Sequence, residues 1–270
     1  MTPMSIRPLS LAIALALLPM LATADESKPH KGRGHEKRMD EIEVTANPLG
    51  TSSAEAAKPA VVLAGGELED RRRGTIGETV SEEAGVQSSY FGPGVGRPVI
   101  RGQDGARVQV LSGGTGSLDA STVSVDHALT IEPFVAEQIE VLKGPSTLFY
   151  GAGAIGGVVN VVDGRIPDAL TEEGVSGRAE LSGDTGSNMR GGVARLDATA
   201  GQYAIHADAF QRDADNVEAP GTEDGEIENS AIETSGGAIG GVAFADGGNG
   251  FVGLALSGYN NLYGIPGGAH

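Results

Sequence analysis

After Pro167 the sequence consists largely of segments of roughly ten residues in which small or apolar residues alternate with polar ones. The five segments are SGRAELSGD, MRGGVARLDATAG, QYAIHADAFQRDAD, GGAIGGVAFADGGNG and FVGLALSGYNNLYG. Alternation with a period of two predicts β-strands whose two faces meet different surroundings. Strands of this length, joined by alternately short and long connections, favour an outer-membrane β-barrel, and a soluble β-sandwich is the competing fold.

These segments are too few to close a barrel around a further domain, because single-chain bacterial barrels begin at about eight strands. The sequence also stops at GIPGGAH without a terminal strand. We therefore expect residues 168–270 to be the first strands of an incomplete antiparallel transmembrane β-barrel, and the chain to be an N-terminal fragment of a longer protein.

The N-terminus has the pattern of an export signal. Arg7 precedes the apolar run LSLAIALALLPML, and Ala22, Thr23 and Ala24 supply the small residues of a cleavage site. Residues 1–24 are therefore predicted to be a signal peptide. The run is shorter than the roughly 20 apolar residues of a spanning helix. No later stretch is long and apolar enough either, so insertion into a membrane has to use β-strands.

Charge and cysteine content narrow the function classes. The chain has 36 acidic and 19 basic residues, a formal net charge of −17. Nucleic acid is therefore not an expected partner, because a phosphate backbone needs a basic surface. The chain has no cysteine, so a disulfide framework is excluded and its stability has to come from a core or from a membrane.

Two regions separate the signal peptide from the alternating segments. Residues 25–59 form a polar, flexible leader that contains the short β-branched segment EIEVTA. This segment is suited to pair with the sheet edge of another protein, and a first strand of the next domain is the equal alternative. Residues 60–167 alternate short strands with helical segments, including one helix through GELEDRRRGTIGETVSEEAGV. They predict an α+β domain with one modest core.

The segment GAGAIGG, residues 151–157, has the G-x-G-x-x-G spacing of dinucleotide-binding folds. That fingerprint requires a strand before the glycines and a helix after them. Here about one helical turn precedes the glycines and the β-branched run GVVNVV follows, so a nucleotide site is the weaker interpretation. We expect structural roles in turns and close packing for Gly144, Gly151, Gly153, Gly156 and Gly157.

Three stretches resemble the TonB-dependent outer-membrane receptors of Gram-negative bacteria. They are EIEVTA at 41–46, PVIRGQDGARVQVL at 98–111 and IEVLKGPSTLFYGAGAIGGVVNVV at 139–162. The resemblance implies an α+β plug domain at 60–167 inside a 22-stranded barrel whose outer face meets outer-membrane lipid. It also implies energised import of a scarce solute without enzymatic chemistry. EIEVTA is similar to the TonB box, which would bind a TonB-type periplasmic energy-coupling protein through Glu41, Ile42, Glu43, Val44, Thr45 and Ala46.

Asp126 and His127 look like the Asp-His pair of the zinc-importing receptors of that family. An imidazole nitrogen beside a carboxylate is half of a zinc site, which usually has three or four N, O or S ligands. The other ligands are expected from the barrel or its loops. Zinc is thus implied as the transported ligand, with no resident cofactor. A hydrogen-bonding role of His127 within its loop is the structural alternative.

Other functions stay open. A receptor for cobalamin or a ferric siderophore is a rival, although residues 112–133 are poor in aromatic and basic side chains. A secreted adhesin or signalling module would use the same sheet for protein binding and would not need EIEVTA. Arg101 is expected to be a buried or half-buried ion-pair partner, and His206 to line the lumen or surface. No role is assigned to His30, His35 or His270.

Overall fold

The computed structural model describes residues 60–267 except 118, 168–169, 171–173, 223 and 246–249. Two five-stranded sheets dominate this part of the chain. The first belongs to an N-terminal unit that mixes strands and short helices, here the mixed domain (residues 60–166). The second, here the wall (residues 174–263), is built from the long alternating segments. No helix among the described residues has both the length and the apolarity to cross a membrane.

The mixed domain contains short elements joined by tight turns. In chain order they are β1 (Ala60–Ala64), α1 (Gly65–Arg71), α2 (Ile76–Thr79), β2 (Val86–Ser88), β3 (Pro98–Ile100), β4 (Val108–Ser112), β5 (Thr115–Gly116), β6 (Gln138–Leu142) and β7 (Gly157–Val162). Single 3₁₀ turns occupy Gly105–Arg107, Ala120–Thr122, Pro133–Val135, Pro145–Tyr150 and Ala152–Ala154. The strands predicted at VVLAG, PVIRG, RVQVL, IEVL and GVVNVV, and the helical turn near EPFVAEQ, are all present.

The main sheet of the mixed domain has the strand order β1-β6-β7-β4-β5. β4 and β7 are parallel, whereas the other neighbours are antiparallel. β6 and β7 are buried on both faces, which is why they are rich in β-branched residues. Glu140 and Asn160 in their middles are buried too, and the Asn160 amide donates to the Glu140 carboxylate at 3.1 Å. α1 and α2 cover the sheet with Leu68 and Ile76. The remaining core residues of this cluster include Leu63, Ile100, Ile139, Val141, Val159 and Val161.

The single helix predicted through residues 66–86 is wrong, because the chain forms two short helices there. Arg72 and Thr75 are extended between them. The Thr75 hydroxyl oxygen accepts a hydrogen bond from the Glu78 backbone N–H at 3.2 Å, and its O–H donates to the Glu78 carboxylate at 2.9 Å. A threonine cap followed three residues later by a glutamate marks the start of a helix. The sequence therefore contains the signal that divides the predicted helix in two.

The wall is antiparallel throughout, in the order β14-β13-β10-β9-β8. Its strands are β8 (Gly174–Asp184), β9 (Met189–Ala200), β10 (Tyr203–Ala214), β13 (Ile232–Phe244) and β14 (Phe251–Tyr263). Between β10 and β13 the small strands β11 (Val217–Glu218) and β12 (Glu226–Ile227) pair with each other. The five predicted strands are therefore present, and their order in the sheet follows the chain. The predicted boundary between residues 167 and 168 stays a prediction.

The two faces of the wall have opposite character. Along β10 every second residue is buried against the mixed domain, including His206, Asp208 and Arg212. The opposite face exposes large apolar side chains to the outside. They include Val175, Leu181, Leu196, Ile205, Ile239, Val252, Leu254, Leu256 and Leu262. The wall thus has polar groups on its inner face and apolar groups on its outer face. This arrangement is the reverse of a soluble sandwich and is typical of a transmembrane barrel wall.

The mixed domain reaches the wall through residues 163–166, here the exit segment. A β-carbon added to Gly240 of β13 would lie 1.7 Å from the carbonyl oxygen of Arg165. A β-carbon on Gly253 of β14 would lie 2.5 Å from Cγ2 of Ile166. The backbone of the exit segment therefore approaches the wall where the wall has no side chains.

Gly240→Ala is expected to displace the exit segment, at a cost of about 1–3 kcal/mol for overpacking. Gly241→Ala is the matched control, because a β-carbon there meets its nearest atom at an ordinary 3.7 Å. Amide hydrogen exchange of residues 157–167 in the full-length protein should accelerate in the first variant only. Equal exchange in both variants would contradict the close contact.

Candidate functional site

The loop of residues 117–130 is fixed to the mixed domain by a carboxylate. Asp119 accepts hydrogen bonds from the backbone N–H groups of Ser121 at 3.0 Å and Thr130 at 3.2 Å, and from the Ser117 hydroxyl at 2.5 Å. Burial acts to raise the pKa of Asp119, but these hydrogen bonds together hold it below its ordinary value. The carboxylate therefore stays ionised and closes the two ends of the loop on each other.

A buried arginine is hydrogen-bonded to the same loop. Arg97 is 2% exposed and donates to the Ser121 hydroxyl oxygen and to the Gly105 carbonyl oxygen, the latter at 3.3 Å. Because Ser121 also contacts Asp119, the loop, β4 and the chain before β3 form one hydrogen-bonded unit. The loop is thus a rigid platform for the residues that follow.

Asp126 and His127 lie on this platform, both half-buried. Asp126 accepts a hydrogen bond from the Ser124 hydroxyl. Nδ1 of His127 lies 3.0 Å from the hydroxyl of Tyr263, the last residue of β14, and the Ala128 N–H donates to the same hydroxyl at 3.1 Å. The histidine is therefore oriented by the wall and not by its own loop alone.

No group of three or more His, Cys, Asp or Glu side chains in the described ranges is arranged to hold a metal ion. Asp126 and His127 by themselves offer at most part of a ligand set, as the sequence indicated. Tyr263 was missed by sequence reasoning. It lies 136 residues from His127, and a tyrosine at the end of an alternating strand carries no signal of the loop it will meet.

A second group of polar residues joins the mixed domain to the middle of the wall. Arg72 donates to Glu180 of β8 at 2.6 Å, and Arg212 of β10 donates to Glu132 at 3.4 Å. The ring of Phe134 lies between the two guanidinium groups, at 5.9 Å from that of Arg72 and 5.7 Å from that of Arg212. These contacts combine ion pairs with cation–π attraction in a site that excludes water.

Glu132 is the most enclosed carboxylate of this group, with 2% of its side chain exposed. Burial raises the pKa of Glu132, and the attraction of Arg212 opposes this only in part. Arg212 is anchored independently, because it also donates to the Gly74 carbonyl oxygen at 2.8 Å. The Gly74 carbonyl therefore fixes the position of Arg212, and Arg212 provides the positive charge that Glu132 needs to be buried in its ionised form.

The glycine segment at 151–157 packs closely and does not open a helix. Its 3₁₀ turn is three residues long, and β7 follows. A β-carbon on Gly156 would lie 2.6 Å from Cβ of Gln103, and one on Gly157 would lie 2.6 Å from Cδ1 of Ile100. Gly144 and Gly151 have positive φ angles of 100° and 85°. These glycines serve turns and close packing, as predicted.

The comparisons with known proteins agree with this architecture. Residues 52–158 match the family model described as TonB-dependent Receptor Plug Domain. The mixed domain therefore has the fold of a TonB-dependent receptor plug domain. The mixed domain is thus the plug, and the wall is a barrel-like sheet of the kind that surrounds it, which confirms the predicted fold class.

Two relatives extend the likeness beyond the plug. A hemin receptor of Yersinia pestis is 28% identical over 226 residues, which cover 80% of this chain and 30% of that receptor. The vitamin B12 transporter BtuB of Vibrio vulnificus (strain CMCP6) is 31% identical over 135 residues, 46% of this chain and 20% of the transporter. The chain thus spans a third or less of the length of these two relatives.

A solved structure shows the same fold. The copper transporter OprC superposes with a TM-score of 0.65 at 20% sequence identity, over 77% of this chain and 31% of that one. At this identity the likeness concerns the fold alone. The relatives are receptors and transporters by name, and the glycine segment that resembled a nucleotide fingerprint belongs to the plug.

Several predicted residues stand apart from this site. Glu41, Ile42, Glu43, Val44, Thr45 and Ala46 lie outside the described residues, as do His30, His35 and His270. The expectation for Arg101 is wrong, because this residue is exposed at the tip of a tight turn with φ of 52°. The backbone N–H and C=O groups of Ile100 and Gln103 bond to each other across that turn and direct Arg101 away from the core. His206 lies on the inward face of the wall, as expected for a lumen-lining residue.

Glu132→Ala is expected to loosen the plug from the wall by about 3 kcal/mol, because it leaves the Arg212 guanidinium buried without its carboxylate. Glu69→Ala is the matched control. Glu69 also pairs with a wall arginine, Arg178, but its side chain is 51% exposed, so the loss should be about 0–1 kcal/mol. Protease accessibility of the plug in the purified full-length protein measures the difference. Similar accessibility in the two variants would show that burial of the pair does not matter.

Proposed function

We propose that this chain is the plug and first barrel strands of an outer-membrane receptor that imports a scarce solute without enzymatic chemistry. The supporting observation is a plug packed on the charged inner face of a wall whose outer face is apolar. Transport across such a wall requires the plug to change its position or its fold. The work is supplied by a TonB-type periplasmic protein that binds Glu41 to Ala46 by strand addition.

The connections between the strands orient the wall. β9 and β10 are joined by residues 201–202, whereas β10 and β13 are joined by residues 215–231. Outer-membrane barrels have short periplasmic turns and longer extracellular loops. Ile232 and Tyr263 are direct partners in the ladder, so Tyr263 and the His127 that it contacts lie at the extracellular end, where a solute arrives.

Zinc is the solute that the residues at this end favour. In the tautomer with its proton on Nδ1, His127 donates to the Tyr263 hydroxyl and keeps the Nε2 lone pair for a metal ion. Histidines that bind metals commonly donate from the other ring nitrogen to a fixed acceptor, which orients the ring. Asp126 adds a carboxylate beside it. Further ligands have to come from the barrel or its loops, and zinc is cargo here, not a cofactor.

A larger ligand is the second candidate. The relatives include a hemin receptor, a vitamin B12 transporter and a rhizobactin receptor. These names favour a haem, cobalamin or ferric siderophore ligand over a bare metal ion. A secreted adhesin or signalling module is less favoured, because neither of these functions needs a plug domain.

Zinc uptake should fall to background when His127 is replaced by alanine. The measurement uses radiolabelled zinc and zinc-starved cells that lack their own high-affinity outer-membrane route and express the full-length receptor at equal surface abundance. Tyr263→Phe keeps the ring but removes the hydroxyl that orients His127, so a loss of about tenfold in zinc affinity is expected, as for other supporting hydrogen bonds of metal ligands.

Two outcomes would redirect the assignment. Absence of zinc uptake by the wild type contradicts zinc as the solute, and the same cells then test haem, cobalamin and ferric siderophores. Normal zinc uptake by His127→Ala contradicts the role of this residue while keeping the solute.

Deletion of residues 41–46 should abolish energised uptake and leave solute binding at the cell surface unchanged. The reason is that strand pairing supplies the link to the energy-coupling protein and takes no part in the solute site. Binding and uptake are measured on the same cells. If the variant still accumulates solute, the energy-coupling role of residues 41–46 is contradicted. If the protein only binds to another surface, the adhesin or signalling alternative is favoured.

A further inference from the structure

A chain of alternating charges connects the plug to the wall beside the exit segment. It starts on the plug before β6, passes through four side chains of β9 and β10, and returns to the exit segment. In order its members are Glu137, Arg195, Asp197, His206, Asp208, Arg165 and Asp163. Both ends belong to the plug and the middle belongs to the wall. His206 is the central member, with 1% of its side chain exposed.

The two outer parts of the chain are ordinary ion pairs. Arg195 contacts Glu137, and its Nε lies 2.6 Å from Oδ2 of Asp197. On the other side, Nε of Arg165 lies 3.1 Å from Oδ2 of Asp208. Nη1 of Arg165 lies 3.3 Å from Oδ2 of Asp163. Each guanidinium group therefore joins one plug carboxylate to one wall carboxylate.

The centre of the chain is different, because both ring nitrogens of His206 meet carboxylates. Nδ1 lies 2.8 Å from Oδ1 of Asp197, and Nε2 lies 3.0 Å from Oδ2 of Asp208. An ionised carboxylate can only accept, and a neutral imidazole has one N–H to donate. With ionised carboxylates and a neutral ring, one of the two contacts would set two lone pairs against each other. Both contacts are hydrogen bonds only when the three groups hold one further proton.

The charged groups around His206 make this additional proton important for the stability of the cluster. The ladder partner of His206 on β13 is Gly240, which has no side chain. The charged groups of the chain are the four carboxylates, the two guanidinium groups and His206 itself. Arg178 of β8 lies beside them, opposite Arg195 in the ladder. With a neutral ring, the chain holds four negative and two positive charges, and its centre is enclosed, because His206 and Asp208 each expose 1% of the side chain. Electrostatic repulsion is strong in such surroundings.

We propose that Asp197, His206 and Asp208 form a proton-dependent clasp that holds the exit segment of the plug against the wall. With the proton bound, Asp208 accepts hydrogen bonds from both His206 and Arg165, and the exit segment stays in contact with the wall at Gly240. When the proton leaves, one of the two carboxylates faces a lone pair of the ring, so one link between the two guanidinium groups is lost and the exit segment is held less firmly. The clasp concerns how the plug is held and is independent of which solute the receptor carries.

Hydrogen exchange of the full-length receptor tests the clasp without any transport measurement. Exchange of residues 157–167 is followed between about pH 5.5 and about pH 8.5, a range that brackets the titration of an ordinary imidazole. After correction for the intrinsic pH dependence of exchange, protection of the exit segment in the wild type should fall about tenfold as the pH rises.

Two variants are expected to remove this pH dependence in opposite directions. Asp197→Asn places an amide donor at Nδ1, so a neutral His206 makes both hydrogen bonds and the clasp stays closed at every pH. His206→Gln offers one amide in place of two ring donors and cannot titrate, so the segment should stay as loose as in the wild type at high pH. Arg195 keeps Glu137 as a partner in the first variant.

Three results would overturn the clasp. The first is protection of the wild type that does not change with pH. The second is Asp197→Asn loosening with pH as the wild type does, because this variant needs no further proton. The third is a parallel loss of protection in β6 within the plug core, which would mean general destabilisation. If His206→Gln fails to fold, the wild type and Asp197→Asn still decide the question.

Discussion

The inner face of the wall can bury charges only because the plug supplies opposite charges to meet them. Glu180 meets Arg72, Arg212 meets Glu132, and Asp208 meets Arg165. An unpaired charge at any of these positions would have a desolvation cost of several kcal/mol. The apolar cluster described across the interface is small by comparison: it consists of Val135, Val193 and Phe210, with Phe134 and Tyr259 packed against them. The position of the plug is therefore set by polar matching more than by apolar burial.

This balance has a physical consequence for a plug that has to move. Separating two apolar surfaces exposes them to water at a cost proportional to their area. Separating ion pairs returns the charges to water, which recovers much of their solvation, so buried pairs specify an arrangement without adding much stability. An interface made of matched charges can be well defined when closed and still separable when a force or a change in protonation acts on it.

The sequence predicted those features that depend on local pattern. Period-two alternation located the five strands of the wall, and β-branched runs located β6 and β7, because these patterns follow directly from strand geometry. The flanks of the glycines at 151–157 argued correctly against a nucleotide site, and the glycine-rich composition together with the family resemblance predicted their roles in turns and packing. The prediction of one helix at residues 66–86 was wrong because helix propensity was read without Thr75 and Glu78, whose spacing is itself a local signal for a helix start.

The site could be predicted only in part, because its geometry depends on contacts distant in sequence. Asp126 and His127 were identified by resemblance, but nothing near them in sequence points to Tyr263. The same holds for His206, whose alternation places it on the inner face but says nothing of the carboxylates on both sides. Arg101 shows the opposite error: a charged residue in a recognisable turn was assigned a buried partner, whereas the backbone bonds of the turn direct it outward.

The arrangement of the plug sheet also determines where a force from the N-terminal side would act first. β1 is an edge strand, held in its sheet by pairing with β6 from Ala60–Leu142 to Ala64–Gln138. Each ladder hydrogen bond contributes about 1 kcal/mol net, so the bonds can be broken one after another. The plug residues of the two charge clusters lie elsewhere, between Arg72 and Arg165. A load entering before Ala60 would therefore remove β1 from the edge while the charge pairs still hold the rest of the plug on the wall.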